Sequence, residues 1–133
     1  MWQDSILDNT ITDNDEEGIY IANSNDNIIS NNVFTDNGIG DNSHYWNIVI
    51  NSSQGFTITG NTISSTSTNP SDYGINAAGN NSSEDTIIEN NNLSNLDEAI
   101  QANGYYYGYG TMKIKNNIID SNQYGIICGR CEV

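Results

Sequence analysis

The sequence predicts an all-β solenoid of about five coils. Three observations lead there. First, the phrase Ile-x-x-Asn-x-aliphatic recurs as Ile6…Asn9…Ile11, Ile28…Asn31…Val33, Ile58…Asn61…Ile63, Ile88…Asn91…Leu93 and Ile114…Asn117…Ile119. The Asn-to-Asn steps are about 22, 30, 30 and 26 residues, a period suited to stacked coils and not to one mixed core. Second, each phrase is followed by another: Gly18-Ile19-Tyr20-Ile21, Asn47-Ile48-Val49-Ile50, Gly74-Ile75-Asn76-Ala77, Ala99-Ile100-Gln101-Ala102 and Gly125-Ile126-Ile127-Cys128. Third, turn-forming Asn and Ser are abundant and there is a single Pro, so short strands alternate with frequent bends.

Asn-rich turns, short Ile/Val strands and a period in the twenties resemble the parallel β-helix repeats of the pectate-lyase-like superfamily. The resemblance covers nearly the whole chain and implies a right-handed parallel β-helix. Alginate epimerases, phage tailspikes, many surface proteins and copper-site assembly proteins of the NosD type share these repeats. Function therefore sits on sites carried by the scaffold. The surface proteins among them imply an extracellular or cell-surface setting.

Composition narrows the partners. Hydrophobic content is 35%, low for a globular core but sufficient where each coil buries only a few inward residues. The regular Ile spacing argues against disorder. Net charge is −14, from 17 acidic and three basic residues. Nucleic acid is excluded as a partner, since phosphate neutralisation needs many Lys and Arg. Anionic membrane surfaces are disfavoured for the same reason, and no apolar run has the length of a membrane span. Divalent cations suit such a surface, which would otherwise serve only solubility. The start, Met1-Trp2-Gln3-Asp4, is not a signal peptide. Residues 1–133 are expected to be one β-helix domain, an excerpt of a longer chain. Uncapped ends would offer strand edges for end-to-end self-association.

In coil one, Ile6, Ile11, Ile19 and Ile21 should point inward. The run Asp13-Asn14-Asp15-Glu16-Glu17-Gly18 resembles the opening of a calcium loop, with Asp13, Asp15 and Glu17 as ligands. The match is partial, because Ser24 stands where an EF-hand places its last Glu. The chain requires no cofactor by this reading, and calcium is the one it would take; a solvated acidic corner is the alternative. Coil two makes a long excursion from Thr35 to Trp46, with Asp36, Asp41, His44, the only His, and Tyr45. These residue types serve proton transfer on a sugar ring. The Asp-Pro-His arrangement of the resembled lyases and epimerases is absent. Coil three carries a second long loop, Ser64 to Tyr73, with Asp72, so the two loops should stack into a lip.

The residue before each second phrase is Glu17, Trp46, Tyr73, Glu98 and Tyr124 in turn. Coils stack about 4.8 Å apart, so three aromatics and two acids should form a column. Such a column suits neutral sugars, or merely covers the corner. In coil four, Asn91 continues a ladder expected to comprise Asn9, Asn31, Asn61, Asn91 and Asn117, each bonding the coils above and below. Before coil five stands Gly104-Tyr105-Tyr106-Tyr107-Gly108-Tyr109-Gly110, an aromatic loop on another corner, suited to glycan or oligomer contact. Lys113 and Lys115 should point outward around Ile114. Cys128 should face inward, and Cys128-Gly129-Arg130-Cys131 should form a terminal disulfide clip or two reduced thiols.

Two functions compete. One is a β-solenoid scaffold or carbohydrate-binding segment using Tyr45, Trp46, Tyr73, Tyr105, Tyr106, Tyr107 and Tyr124, with a polysaccharide or other glycan as partner. The other is a polysaccharide-degrading enzyme, a glycoside hydrolase or a lyase or epimerase on a uronic-acid polymer, with Asp41, His44 and Asp72 as catalytic candidates. The charge of −14 repels polyuronates, so a neutral glycan is the better substrate. Copper delivery, by resemblance to the NosD type, has few soft ligands to use: one His, two Met and two Cys. The binding or scaffolding reading is preferred.

Overall fold

Inward aliphatics at every second position, broken by Asn, Asp and Ser bends, leave the chain one way to bury them: coil upon coil. The structure, a computed structural model, describes residues 4–38, 45–53, 55–66, 72–79, 85–103 and 111–133. Coil one holds β1 (Ser5–Leu7), β2 (Thr10–Thr12) and β3 (Ile19–Ala22). Coil two holds β4 (Ile28–Ser30), β5 (Val33–Thr35) and β6 (Trp46–Ser53), and coil three holds β7 (Thr57–Thr59), β8 (Thr62–Ser64) and β9 (Tyr73–Gly79). Coil four is β10 (Thr86–Glu89), β11 (Asn92–Ser94) and β12 (Glu98–Asn103). Coil five is β13 (Met112–Lys115), β14 (Ile118–Asp120) and β15 (Tyr124–Gly129), and β16 (Cys131–Glu132) begins another turn.

Three parallel sheets result. The first is ordered β1-β4-β7-β10-β13-β16, the second β2-β5-β8-β11-β14 and the third β3-β6-β9-β12-β15. Each strand pairs with its counterpart one coil away, the five-coil parallel solenoid that the repeats predict. Among the described residues no helix is long and apolar enough to cross a membrane.

The core is a stack of columns. Ile6, Ile29, Ile58, Ile88 and Ile114 align in the first sheet. Ile11, Phe34, Ile63, Leu93 and Ile119 align in the second. Ile19, Ile48, Ile75, Ile100 and Ile126 align in the third. The middle members are wholly buried, while Ile6, Ile11, Ile119 and Ile126 are only partly covered because they lie in the outer coils.

The expected register of coil two is wrong by one residue. The phrase is Ile29…Asn32…Phe34, not Ile28…Asn31…Val33: Ile6 pairs with Ile29 and Ile11 with Phe34, and Val33 is 41% exposed. Alternation along a strand makes a one-residue slip exchange the inner and outer faces. Asn31 instead takes the preceding bend position, with φ 55°. Its equivalents Asp8, Gly60, Asn90 and Asn116 share that left-handed conformation, with φ 57°, 66°, 55° and 56°. Asn and Asp tolerate it through local hydrogen bonding, and Gly has no Cβ to clash.

The ladder is therefore Asn9, Asn32, Asn61, Asn91 and Asn117. The Asn32 N–H and Nδ2 donate to Asn61 Oδ1 at 2.9 and 3.0 Å, and Asn61 does the same to Asn91 at 3.0 and 2.9 Å. The Nδ2 groups of Asn32, Asn61, Asn91 and Asn117 also reach the carbonyl of an inward Ile one coil back: Ile6, Ile29, Ile58 and Ile88. The buried amides are thus satisfied by one another and by backbone.

Candidate functional site

The third sheet has the longest strands, and two surfaces of interest meet along it. Its leading edge carries the predicted column. Trp46 pairs with Tyr73 and Glu98 with Tyr124. The Trp46 and Tyr73 rings contact each other with centroids 4.8 Å apart and planes tilted by 43°. Burial first, then a hydrogen bond to the Asp97 carboxylate and the charges of Asp97 and Glu98, push the Tyr73 phenol up to about 12. The Tyr73 hydroxyl is thus held as a donor. Trp46 and Tyr73 are only 6% exposed each, so they line the corner and present no open stacking face; Tyr124, 51% exposed, and the half-buried Tyr45 do.

The outer face of the same sheet escaped the sequence reading. Tyr20, Val49, Asn76, Gln101 and Ile127 form one row across it, and Ala22, Asn51, Ala78, Asn103 and Gly129 form the next. No charged side chain stands in either row, in a chain of net charge −14. One amide bond runs along a row and another links the two: Asn76 Nδ2 donates to Gln101 Oε1 at 3.2 Å, and Asn51 Nδ2 to the Tyr20 hydroxyl at 3.2 Å. The signal lay in the outward positions of the second phrase, read only for its inward ones.

The bend between the second and third sheets carries the carboxylates. Asp72 immediately precedes β9 and is 1% exposed, and neither of its side-chain oxygens has a hydrogen-bond partner. Its backbone carbonyl accepts from the Asp97 N–H at 2.9 Å, which fixes it to coil four. Burial pushes its carboxyl up; the nearby Ser65 hydroxyl partly offsets this, and the Asp36 charge adds to it. Asp36 lies one coil below, at a left-handed bend residue with φ 53°. Its Oδ1 accepts from the Thr66 N–H at 2.7 Å and the Ser65 hydroxyl at 3.2 Å, and its Oδ2 from the Thr66 hydroxyl at 2.5 Å. Burial works to raise the Asp36 carboxyl, but the Thr66 and Ser65 bonds outweigh it and hold the group below its ordinary value.

The sequence places Asp36 in the coil-two excursion but gives it no role. The pairs Thr12-Asp13 and Thr35-Asp36 close successive second-sheet strands, and that repeat could have found it. Asp41, His44, Tyr105, Tyr106 and Tyr107 lie outside the described residues. Asp13, Asp15 and Glu17 sit on the bend of coil one, where Asp13 and Asp15 are exposed. Among the described residues no group of three or more His, Cys, Asp and Glu side chains converges.

These bends and sheets agree with comparison to known proteins: a family model described as a right handed beta helix region matches residues 3–93. The chain belongs to the right-handed β-helix family. Comparisons with curated proteins and with solved structures gave no match. Within this β-helix the basic side chains stand apart from the acidic bend. Lys113 Nζ lies 2.6 Å from Asp85 Oδ2, and Lys115 Nζ lies 3.1 Å from Glu89 Oε2, both on the first-sheet side. Cys128 and Cys131 form a disulfide. Cys128 keeps the predicted register opposite Ala102 but is exposed, because coil five is an outer coil; its expected burial is not met.

Proposed function

We propose that this β-helix is a rigid scaffold whose third sheet binds a neutral glycan in an extracellular or cell-surface setting. The uncharged, amide-bearing outer face carries the reading. Asn76, Gln101, Asn51 and Asn103 offer donors and acceptors to sugar hydroxyls, and exposed Tyr20 and Tyr124 offer aromatic surface. Because the strands are in parallel register, these groups repeat at the coil spacing of about 4.8 Å, a regular array for a regular polymer. Polyuronates fit less well, since Lys113 and Lys115 already face carboxylates.

The test is retention of the purified chain on immobilised neutral glycans, with Gln101→Ala and Tyr124→Ala beside it. Both side chains lie outside the core, so the fold should persist while retention falls. Unchanged retention in both variants would move binding off this sheet. Hydrolysis by Asp41 and Asp72 is the competing reading. The burial of Asp72 weighs against it, because a general acid has to touch the glycosidic oxygen. End-to-end self-association extends the scaffold reading. A cavity of about 330 Å³ at coil five, lined by Ile114, Ile119, Ile126 and Val133 together with Lys115, Asn116 and Asn117, supports it. Sedimentation against concentration tests it, and a strict monomer would reject it.

A further inference from the structure

A fully buried carboxylate without a hydrogen-bond partner is the least expected feature of this molecule. Charges leave water only when something compensates them. At Asp72 the nearby Ser65 hydroxyl does so only in part, and neither carboxylate oxygen has a hydrogen-bond partner. The whole chain has three Lys and Arg side chains, and its one His, His44, lies outside the described residues. Lys113 and Lys115 stand on the first sheet, and Arg130 on the bend between β15 and β16. The charged neighbour that Asp72 does have is Asp36, of the same sign. Ser65 stands between them, its hydroxyl on Asp36 Oδ1 at 3.2 Å. Two carboxylates and a hydroxyl therefore converge where an opposite charge is missing.

We propose that Asp36 and Asp72 together bind one hard divalent cation of the calcium class, with the Ser65 hydroxyl as a further oxygen donor. All the donors are oxygens, which suits calcium and not a soft metal. Asp72 supplies two oxygens with no other partner. Asp36, half-buried, faces both the bend and solvent, so water completes the coordination. Asp36 belongs to coil two, Ser65 and Asp72 to coil three. The ion thus clamps two successive coils at the base of both long second-to-third-sheet excursions. This is independent of the glycan reading, because the donors lie on the bend and not on the third sheet's outer face. It also differs from the acidic run of coil one, where Asp13, Asp15 and Glu16 are exposed and Glu17 is half-buried.

The experiment uses the full chain, stripped with chelator, at neutral pH. Calcium is titrated while thermal unfolding and terbium luminescence are recorded, the latter sensitised by the Trp46–Tyr73 pair beside Asp72. One saturable site is expected, with the melting temperature rising by about 10 °C at a calcium concentration 100-fold above Kd. Asp72→Asn should abolish both signals and, lacking the buried charge, melt higher than the native chain in chelator. Asp36→Asn should weaken binding at least tenfold, and Asp15→Asn should leave it unchanged. Absence of a saturable site would overturn the proposal. So would signals that survive in Asp72→Asn or vanish in Asp15→Asn. Were Asp72→Asn not to fold, undiminished binding in Asp36→Asn would overturn it alone. Glycan retention is measured separately, so either reading can fail without the other.

Discussion

Replacing Asn32 with Ala, beside Asn31 with Ala, separates a ladder residue from its bend neighbour. The Asn32 side chain makes five hydrogen bonds. Its Nδ2 donates to the Ile6 carbonyl at 2.9 Å, the Ser30 carbonyl at 3.0 Å and Asn61 Oδ1 at 3.0 Å. Its Oδ1 accepts the Asn9 N–H at 2.9 Å and Asn9 Nδ2 at 3.0 Å. The three Nδ2 contacts share two hydrogens, and exposed Asn9 can turn to water, so two to three bonds are lost in effect. At about 0.5–1.5 kcal/mol net each, and more where a buried carbonyl is stranded, the cost is about 2–4 kcal/mol. For a chain of this size that lowers the melting temperature by about 10 °C. Asn31 is exposed, and Ala there loses only the tolerance for φ 55°, about 1 kcal/mol. Thermal unfolding followed by circular dichroism reads both variants. An equal loss, or a larger one at Asn31, would refute the ladder as placed and restore the register Ile28…Asn31…Val33.

Stability against pH in chelator should pass through a maximum. Asp72 is raised in the fold, so its contribution is complete at low pH and is lost as pH rises through its folded value. Asp85 is held at about 2, against 3.8, by Lys113 and then by Thr111, so its contribution is present above 3.8 and lost as pH falls toward 2. Asp36, lowered, acts on the same acid limb. Melting curves from neutral to acid should show both limbs, and Asp72→Asn should flatten only the one above 3.8. Gly74→Ala should cost about 1–3 kcal/mol, because its Cβ would overlap the Ala99 carbonyl oxygen and lie 3.0 Å from Leu93 Cδ2. Gly125→Ala, in the same column, meets only Ile119 Cγ2 at 3.7 Å and should be nearly neutral on denaturant unfolding. Asn47→Ala should cost about 1–3 kcal/mol, since it removes a buried bridge between Asn37 Nδ2 and the Tyr73 carbonyl, both at 2.8 Å. A red shift of Trp46 emission in a Trp2→Phe background would report the loosened corner.

The fold was legible because inward aliphatics recur with the coil, and four of five ladder residues followed from the same repeat. Coil two misled because Ile28-Ile29 and Asn31-Asn32 offer two frames that satisfy one pattern. Phe34 decides between them: the larger apolar side chain takes the core, and Val33 goes out. Trp46, Tyr73, Glu98 and Tyr124 were placed in register correctly, yet the burial of Trp46 and Tyr73 was not readable. Register fixes which residues are neighbours along the stack, whereas cover depends on how far each bend folds back. Asp36 was given no role for a related reason. Its role comes from Ser65, Thr66 and Asp72 of the next coil, about 30 residues away in sequence.

The three bends are not equivalent, and this decides where function can reside. Between the first and second sheets the connection is two residues in every coil: 8–9, 31–32, 60–61, 90–91 and 116–117. A left-handed residue followed by a ladder Asn leaves no slack there, because an inserted residue would break hydrogen bonds to two coils. Between the second and third sheets the connection runs from three residues at 95–97 to ten at 36–45. That bend has side-chain bridges of changing kind, Asn14 to Asn37, Asn37 to Asn47 and Asn122 to Leu96, in place of one repeated Asn. The uniform ladder holds the stack and so frees the variable bend from structural duty. Buried Asp72, ionised Asp36 and the head of the Trp46–Tyr73 column all gather at that bend. A change that stabilises the ladder should therefore leave binding there unaltered, and a change at Asp72 should alter binding without unstacking the coils.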